Sequence, residues 1–211
     1  MLISRRSALG GLAASAILPT SVLASTPTAL VTGFPHVYEY SNLNPNRYYW
    51  CGHAALASAL AKSGKSTDIA RLHTIFLQNS PAGYGSNRGG KYISAVQDLM
   101  WATDKQFGLE LSQASLNRTS AELLGKVKDA VSFNRALIVP SDYGYVGIGH
   151  FWLIVGYKEV SNDPDQSIIY MRDMARPPNG THWDHETKIG SFVHHTNFNN
   201  KMPYLIVKGP K

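Results

Sequence analysis

Cysteine is almost absent from this chain: Cys51 is the single thiol in 211 residues. No internal disulfide can therefore form, and a leftover thiol in an oxidising compartment is buried and inert, paired between chains, or reactive. Its setting has to decide. Charge is sparse as well, at 16% of residues, and the net +6 is spread with no block of consecutive basic residues. That pattern leaves no nucleic-acid footprint, and the moderate surplus suits a solvated surface or an acidic cell-surface polymer. Beyond the first residues nothing approaches the roughly twenty apolar residues of a membrane span, so no stable membrane insertion is expected. Internal repeats and low-complexity tracts are missing, and the length is that of one ordinary domain with a real core.

What is present begins with "MLISRRSALGGLAASAILPTSVLAS". Arg5 and Arg6 precede an apolar Ala/Leu/Ile stretch, and Val22-Leu23-Ala24 ends it with residues small enough for signal peptidase. Residues 1–24 read as a bacterial export signal cleaved near Ala24, leaving residues 25–211 as one domain in the periplasm or outside the cell. "SRR" followed by Leu9 is also similar to a twin-arginine signal, with Ala8 where phenylalanine is usual, so Sec and twin-arginine export both stay open. Cleavage removes two of the positive charges.

Residues 25–50 mix Thr, Pro, Asn and Tyr without a sustained period and read as an extended arm. Residues 50–62 are strong helix formers stopped by Gly64 and Lys65, which puts Cys51 on the first turn of a helix. Its faces are nearly all alanine, so backbone can approach from several sides; the helix is expected to be central and buried. A second helix is predicted over residues 67–78, capped by Ser66 or Thr67, with Ile69, Leu72 and Phe76 at core spacing. Two more are predicted over 93–104 and, after the cap signal "TSAE", over 120–133. The intervening "NSPAGYGSNRGGKY" reads as a long mobile loop. Strands are predicted from β-branched and aromatic runs at 136–140, 150–157, 167–173 and 204–208. Helices early and strands late predict an α+β domain in which a mainly antiparallel sheet packs against a central helix.

A helix N-terminus presents unpaired N–H groups and partial positive charge, which favour a thiolate over a thiol and place Cys51 to be a nucleophile. The plain alternative is a small buried hydrophobe. A cysteine nucleophile needs a base, commonly held by a third group. Of eight histidines, only His150, in "GIGHFWLIVGY", opens a hydrophobic strand directly after a glycine. Alternation puts His150, Trp152 and Ile154 on one face, and the next strand, "SIIYMRD", ends on Asp173 in phase with Ile169 and Met171. Antiparallel pairing of these neighbours brings the start of one beside the end of the other, and His150 beside Asp173.

Taken in order, "WCGHAAL", "GHFWLIVGY" and "YMRD" closely resemble the papain-like peptidase C39 and C39-like family, and the likeness extends to the final "YLIVKG". The resemblance implies a papain-like fold and a cysteine hydrolase, which the export signal would place in the periplasm or outside the cell, cleaving an amide bond in a peptide or cell-envelope substrate. It implies catalysis by Cys51, His150 and Asp173 without a cofactor. Trp50, Gly149 and Trp152 are the expected substrate-cleft residues. Two positions depart from the family. Its glutamine shortly before the nucleophile, whose amide helps bind the oxyanion, has no counterpart in "NLNPNRYYW", where Asn44 or Asn46 is the candidate donor. The usual Asp-Pro at the acid is Asp173-Met174 here. These departures keep open a catalytically weak peptide-binding or envelope-associated module, and acyl transfer to an amine uses the same thioester chemistry.

Other patterns compete less well. "GSNRGGKY" from Gly85 nearly matches a phosphate loop, but Tyr92 stands where the magnesium-binding hydroxyl belongs and no apolar strand precedes it; it is read as a flexible loop, in the place of a lid. "THWDHE" and "VHH" gather His182, Asp184, His185, His194 and His195 in a spacing that fits no usual zinc pattern. They are read as exposed histidines of a polar loop, with no metal expected. His53 is read as a packing or rim residue rather than the base.

Overall fold

Every residue from Cys51 to Leu60 of the alanine-rich helix α1 (Cys51–Lys62) is buried. Alanine makes this feasible, because a helix with short side chains can be approached by packed elements on all sides. Its end follows from Gly64, which at φ +79° supplies the left-handed residue that lets Lys65 N–H reach Leu60 O at 2.9 Å and Gly64 N–H reach Ala61 O at 3.0 Å. The computed structural model describes residues 28–35, 37, 50–79, 96–141, 143, 150–175, 183–195 and 201–210. The export signal, most of the arm, the glycine-rich loop, Asn44, Asn46, Gly149 and His182 lie outside the described residues.

Three further helices follow the predicted ones: α2 (Ile69–Asn79), α3 (Val96–Trp101) and α4 (Ser120–Ser132). The cap of α2 is Asp68 rather than Ser66 or Thr67, since its carboxylate accepts from Arg71 N–H at 2.7 Å. α3 runs on as a π-helical turn, Ala102–Gln106. At α4 the "TSAE" signal works as a cap, with Thr119 accepting from Glu122 N–H at 3.3 Å. Glu122 in turn reaches back to the Asn117 backbone N–H and side-chain amide, each at 2.6 Å.

The strands are β1 (Ala29–Leu30), β2 (Leu109–Asn117), β3 (Leu137–Ser141), β4 (His150–Lys158), β5 (Ile168–Arg172), β6 (His185–Lys188) and β7 (Lys201–Pro210), with a short helix α5 (Ile189–His194) before β7. They form one sheet in the order β2-β7-β3-β4-β5-β6, every pairing antiparallel, with β1 added to β4. Alternation divides the core. Phe151, Leu153, Val155, Leu205 and Val207 join the cluster that contains Leu56 and Leu60 of α1. Trp152, Ile154, Tyr204 and Ile206 join the one that contains Leu123 and Val127 of α4 and Phe192 of α5. With helices over both faces, β3, most of β4 and β5, and the middle of β7 are buried, which is why they read as unbroken apolar runs rather than as alternating ones. Gly156 has its own reason: a Cβ there would meet Ala29 O at 2.7 Å, so glycine is what lets β1 lie against β4.

Candidate active site

Each of three elements ends at the same place. Cys51 is the first residue of α1, whose N-cap Trp50 makes no side-chain capping bond; the first intrahelical bond runs from Ala54 N–H to Trp50 O. The N–H groups at the head of the helix are thus left for a partner other than the helix itself. His150 is the first residue of β4, and Asp173 directly follows β5. The antiparallel β4–β5 pairing, with Leu153 opposite Arg172 and Ile154 opposite Met171, carries the start of β4 to the end of β5.

The result is a buried ion pair, with His150 Nε2 3.1 Å from Asp173 Oδ1. The Cys51 sulfur lies within hydrogen-bonding reach of the same ring, and with Nε2 at Asp173 the nitrogen left for it is Nδ1. Relative exposures are 6% for Cys51, 4% for His150 and 0% for Asp173. Burial alone would pull the His150 pKa down; the charge of Cys51, then the hydrogen bonds to Asp173 and Cys51 and the Asp173 charge, outweigh it and raise the group to about 10. His150 is therefore held as imidazolium at neutral pH. Asp173, a buried carboxylate, also accepts from Ala175 N–H at Oδ1, 3.0 Å away. This two-residue reach is an Asx turn, and it fixes the carboxylate where a following proline is replaced by Met174, itself wholly buried in the cluster that holds Cys51.

The surroundings are aromatic. Trp152 stands edge-on to His150 with ring centroids 5.0 Å apart, and His185 lies 5.5 Å beyond it. Trp50 and Trp152, expected as cleft residues, are each 1% exposed, so they wall the site from within and present almost no surface. Trp50 packs on His53 at 5.4 Å and on His73 at 4.7 Å. His53 is a packing residue and not a rim one: it is wholly buried and also stacks on Phe76 at 4.8 Å. Burial, and then the nearby His73, push its pKa well below the ordinary histidine value and keep it neutral. Of the clustered histidines, His194 and His195 are exposed, whereas His185 is half-buried in β6. Among the described residues no group of three or more His, Cys, Asp or Glu is arranged to hold a metal ion, and no helix is long and apolar enough to cross a membrane.

Sequence reasoning missed Asp184, which accepts from the Asp173 backbone N–H at 3.2 Å. The segment "WDH" reads as part of a polar loop, and no sequence signal places it near the end of β5.

A central N-terminal helix that offers a cysteine to a histidine and an acid from an antiparallel sheet is the arrangement of the papain-like cysteine peptidases. Within that class the chain belongs to the peptidase C39-like family, whose model matches residues 31–199. The peptidase domain of Streptococcus ComA, a bi-functional ABC transporter involved in a quorum-sensing pathway, superposes with a TM-score of 0.52 at 16% identity, over 85% of this chain and all 100% of that one. A C39-like peptidase from Bacillus anthracis gives 0.59 at 12% identity, over 87% of this chain and 98% of that one. UfSP from C. elegans gives 0.55 at 10% identity, over 90% of this chain and 36% of that one. At such identities the likeness is one of fold. No curated protein matches the sequence.

Proposed function

We propose that this protein is a cysteine hydrolase that works in the periplasm or outside the cell, after cleavage near Ala24, and cleaves an amide bond in a peptide or cell-envelope substrate. Cys51 is the nucleophile, His150 the base and acid, and Asp173 the group that orients His150. The observation that carries this reading is the buried His150 ring, shared between the Cys51 sulfur and, at 3.1 Å, the Asp173 carboxylate.

His150 takes the thiol proton at Nδ1 as the thiolate forms, and Asp173 steadies the imidazolium that results. The thiolate attacks the carbonyl carbon; a C–S bond forms and the π pair moves to oxygen. That charge develops at the open head of α1, where the Cys51 N–H and a side-chain amide from Asn44 or Asn46 serve as donors. Collapse breaks the C–N bond, and the leaving amine takes the proton from His150. Water then attacks the thioester, gives its proton to His150, and releases the acid and the sulfur. Asp173 stays ionised throughout and holds the ring.

The test is iodoacetamide labelling of the mature protein from about pH 5 to 9, read by mass at its one cysteine, beside His150→Ala. Rapid labelling below about pH 7, slowed at least about tenfold by the substitution, is expected. A thiol that reacts only above about pH 8.5, indifferent to His150, would refute the hydrolase. That result would leave a peptide-binding module, the reading favoured by the missing glutamine before Cys51.

A further inference from the structure

The ladder between β5 and β6 ends at the pair Met171 and His185. Two residues further on, at Asp173, the strand has ended, yet this is where the carboxylate has to meet His150. Main-chain pairing no longer holds it there. The Asp184 backbone N–H donates to Met171 O at 2.9 Å, and the Asp184 side chain then reaches past the ladder so that Oδ2 accepts from Asp173 N–H at 3.2 Å. We propose that Asp184 is a positioning residue of the site: its carboxylate takes the place of the missing ladder bond, pins the Asp173 backbone, and so sets the angle at which Asp173 meets His150.

The inference rests on the reading of Cys51, His150 and Asp173 given above. Three features converge on it. Asp173 is wholly buried, so a small rotation of its backbone cannot be corrected by water. Arg172, 6% exposed, faces Asp184 with opposite charge and makes it tolerable to hold a second carboxylate beside the first. The next residue, His185, braces the other partner, since its ring packs on Trp152, which stands against His150, and its Nε2 lies 3.5 Å from the Tyr143 hydroxyl. The dipeptide Asp184-His185 thus supports the acid through the main chain and the base through a tryptophan. The "WDH" segment, read from sequence as part of a polar histidine loop, gains a place in the site.

Asp184→Ala removes the acceptor, whereas Asp184→Asn keeps an oxygen for Asp173 N–H without the charge. Two readouts apply: iodoacetamide labelling of Cys51 at about pH 6, and the NMR titration of the His150 ring in a Cys51→Ala background. Asp184→Ala is expected to slow labelling about tenfold or more and to lower the His150 midpoint by about one pH unit, the scale of one hydrogen bond to a charged group. Asp184→Asn should label within about threefold of the wild type. An Asp184→Ala protein with wild-type circular dichroism, labelling rate and His150 midpoint would overturn the proposal; if Ala does not fold, Asp184→Leu, which also lacks an acceptor, carries the same comparison. Should the wild type itself prove unreactive, the hydrolase reading falls alone. The titration in the Cys51→Ala background still decides on Asp184, a lowered midpoint supporting its role and an unchanged one overturning it.

Discussion

Replacing Asp173 separates the two things its carboxylate does. Oδ1 sits 3.1 Å from His150 Nε2 and accepts from Ala175 N–H at 3.0 Å, in a residue with no exposed surface. Asp173→Ala removes both contacts and leaves a buried imidazolium balanced by sulfur alone. Breaking one side of a buried pair costs about 3–5 kcal/mol, and if that loss falls on thiolate formation it amounts to roughly a hundredfold to a few thousandfold in rate. Asp173→Asn keeps the shape and an acceptor oxygen, and forfeits only the charge. A charge-assisted hydrogen bond exceeds a neutral one by about 1–1.5 kcal/mol, so the cost is about tenfold, in keeping with the Cys-His-Asn arrangement known in papain-like proteases. In both variants His150 loses contributions that hold it near 10, so the upper pH limit of the charged ring moves down. The assay is the iodoacetamide rate at about pH 6, with circular dichroism as the control for folding. An Asp173→Ala protein that folds and labels within about threefold of the wild type would show that the carboxylate does not govern the pair.

His53 predicts acid sensitivity. Its folded pKa lies well below 6.5 and its unfolded one near that value, so its stabilisation is complete above about pH 6.5 and is lost as pH falls below it, at up to about 1.4 kcal/mol per pH unit. The melting temperature should drop between about pH 7 and 5, less so in His53→Gln; equal slopes in the two proteins would contradict the assignment. Gly156→Ala drives a Cβ to 2.7 Å from Ala29 O, so it should destabilise by about 1–3 kcal/mol in urea unfolding, and an unchanged midpoint would show that β1 is dispensable. Asn44→Ala and Asn46→Ala, made singly, should distinguish the oxyanion donor. The one that matters lowers hydrolysis of a peptide amide about a hundredfold while leaving iodoacetamide labelling, which forms no oxyanion, untouched; full turnover in both would eliminate the asparagines.

The parts of this fold that were legible in the sequence are those whose burial is lopsided toward the apolar. β3, β4, β5 and the middle of β7 announce themselves because helices cover both faces of the sheet there. β2 and β6 stand at the two ends of the strand order, so "LELSQASLN" and "HETK" carry the polar side chains that a half-solvated edge strand tolerates and that discourage further pairing. They read as loop for a physical reason, since nothing in their composition distinguishes an edge from a connection. α5 was findable: Ile189, Phe192 and Val193 stand at helical spacing and are all buried, but the histidines beside them made the segment read as a polar loop.

The site divides along the same line. Cys51, His150 and Asp173, the proposed triad, each sit at the start of a segment whose type could be read or directly after its end, so the meeting of His150 with Asp173 was deducible from strand alternation and antiparallel pairing, whereas that of Cys51 with His150 rested on the resemblance. Asp184 acts on a backbone N–H, and a backbone donor has no sequence signature. Its role exists only because the β5–β6 ladder stops at Met171, two residues short of Asp173. A buried carboxylate at the end of a strand has lost main-chain restraint just where its orientation matters most, and a neighbouring acceptor that restores that restraint is a structural requirement of the pair, visible only once the register is known.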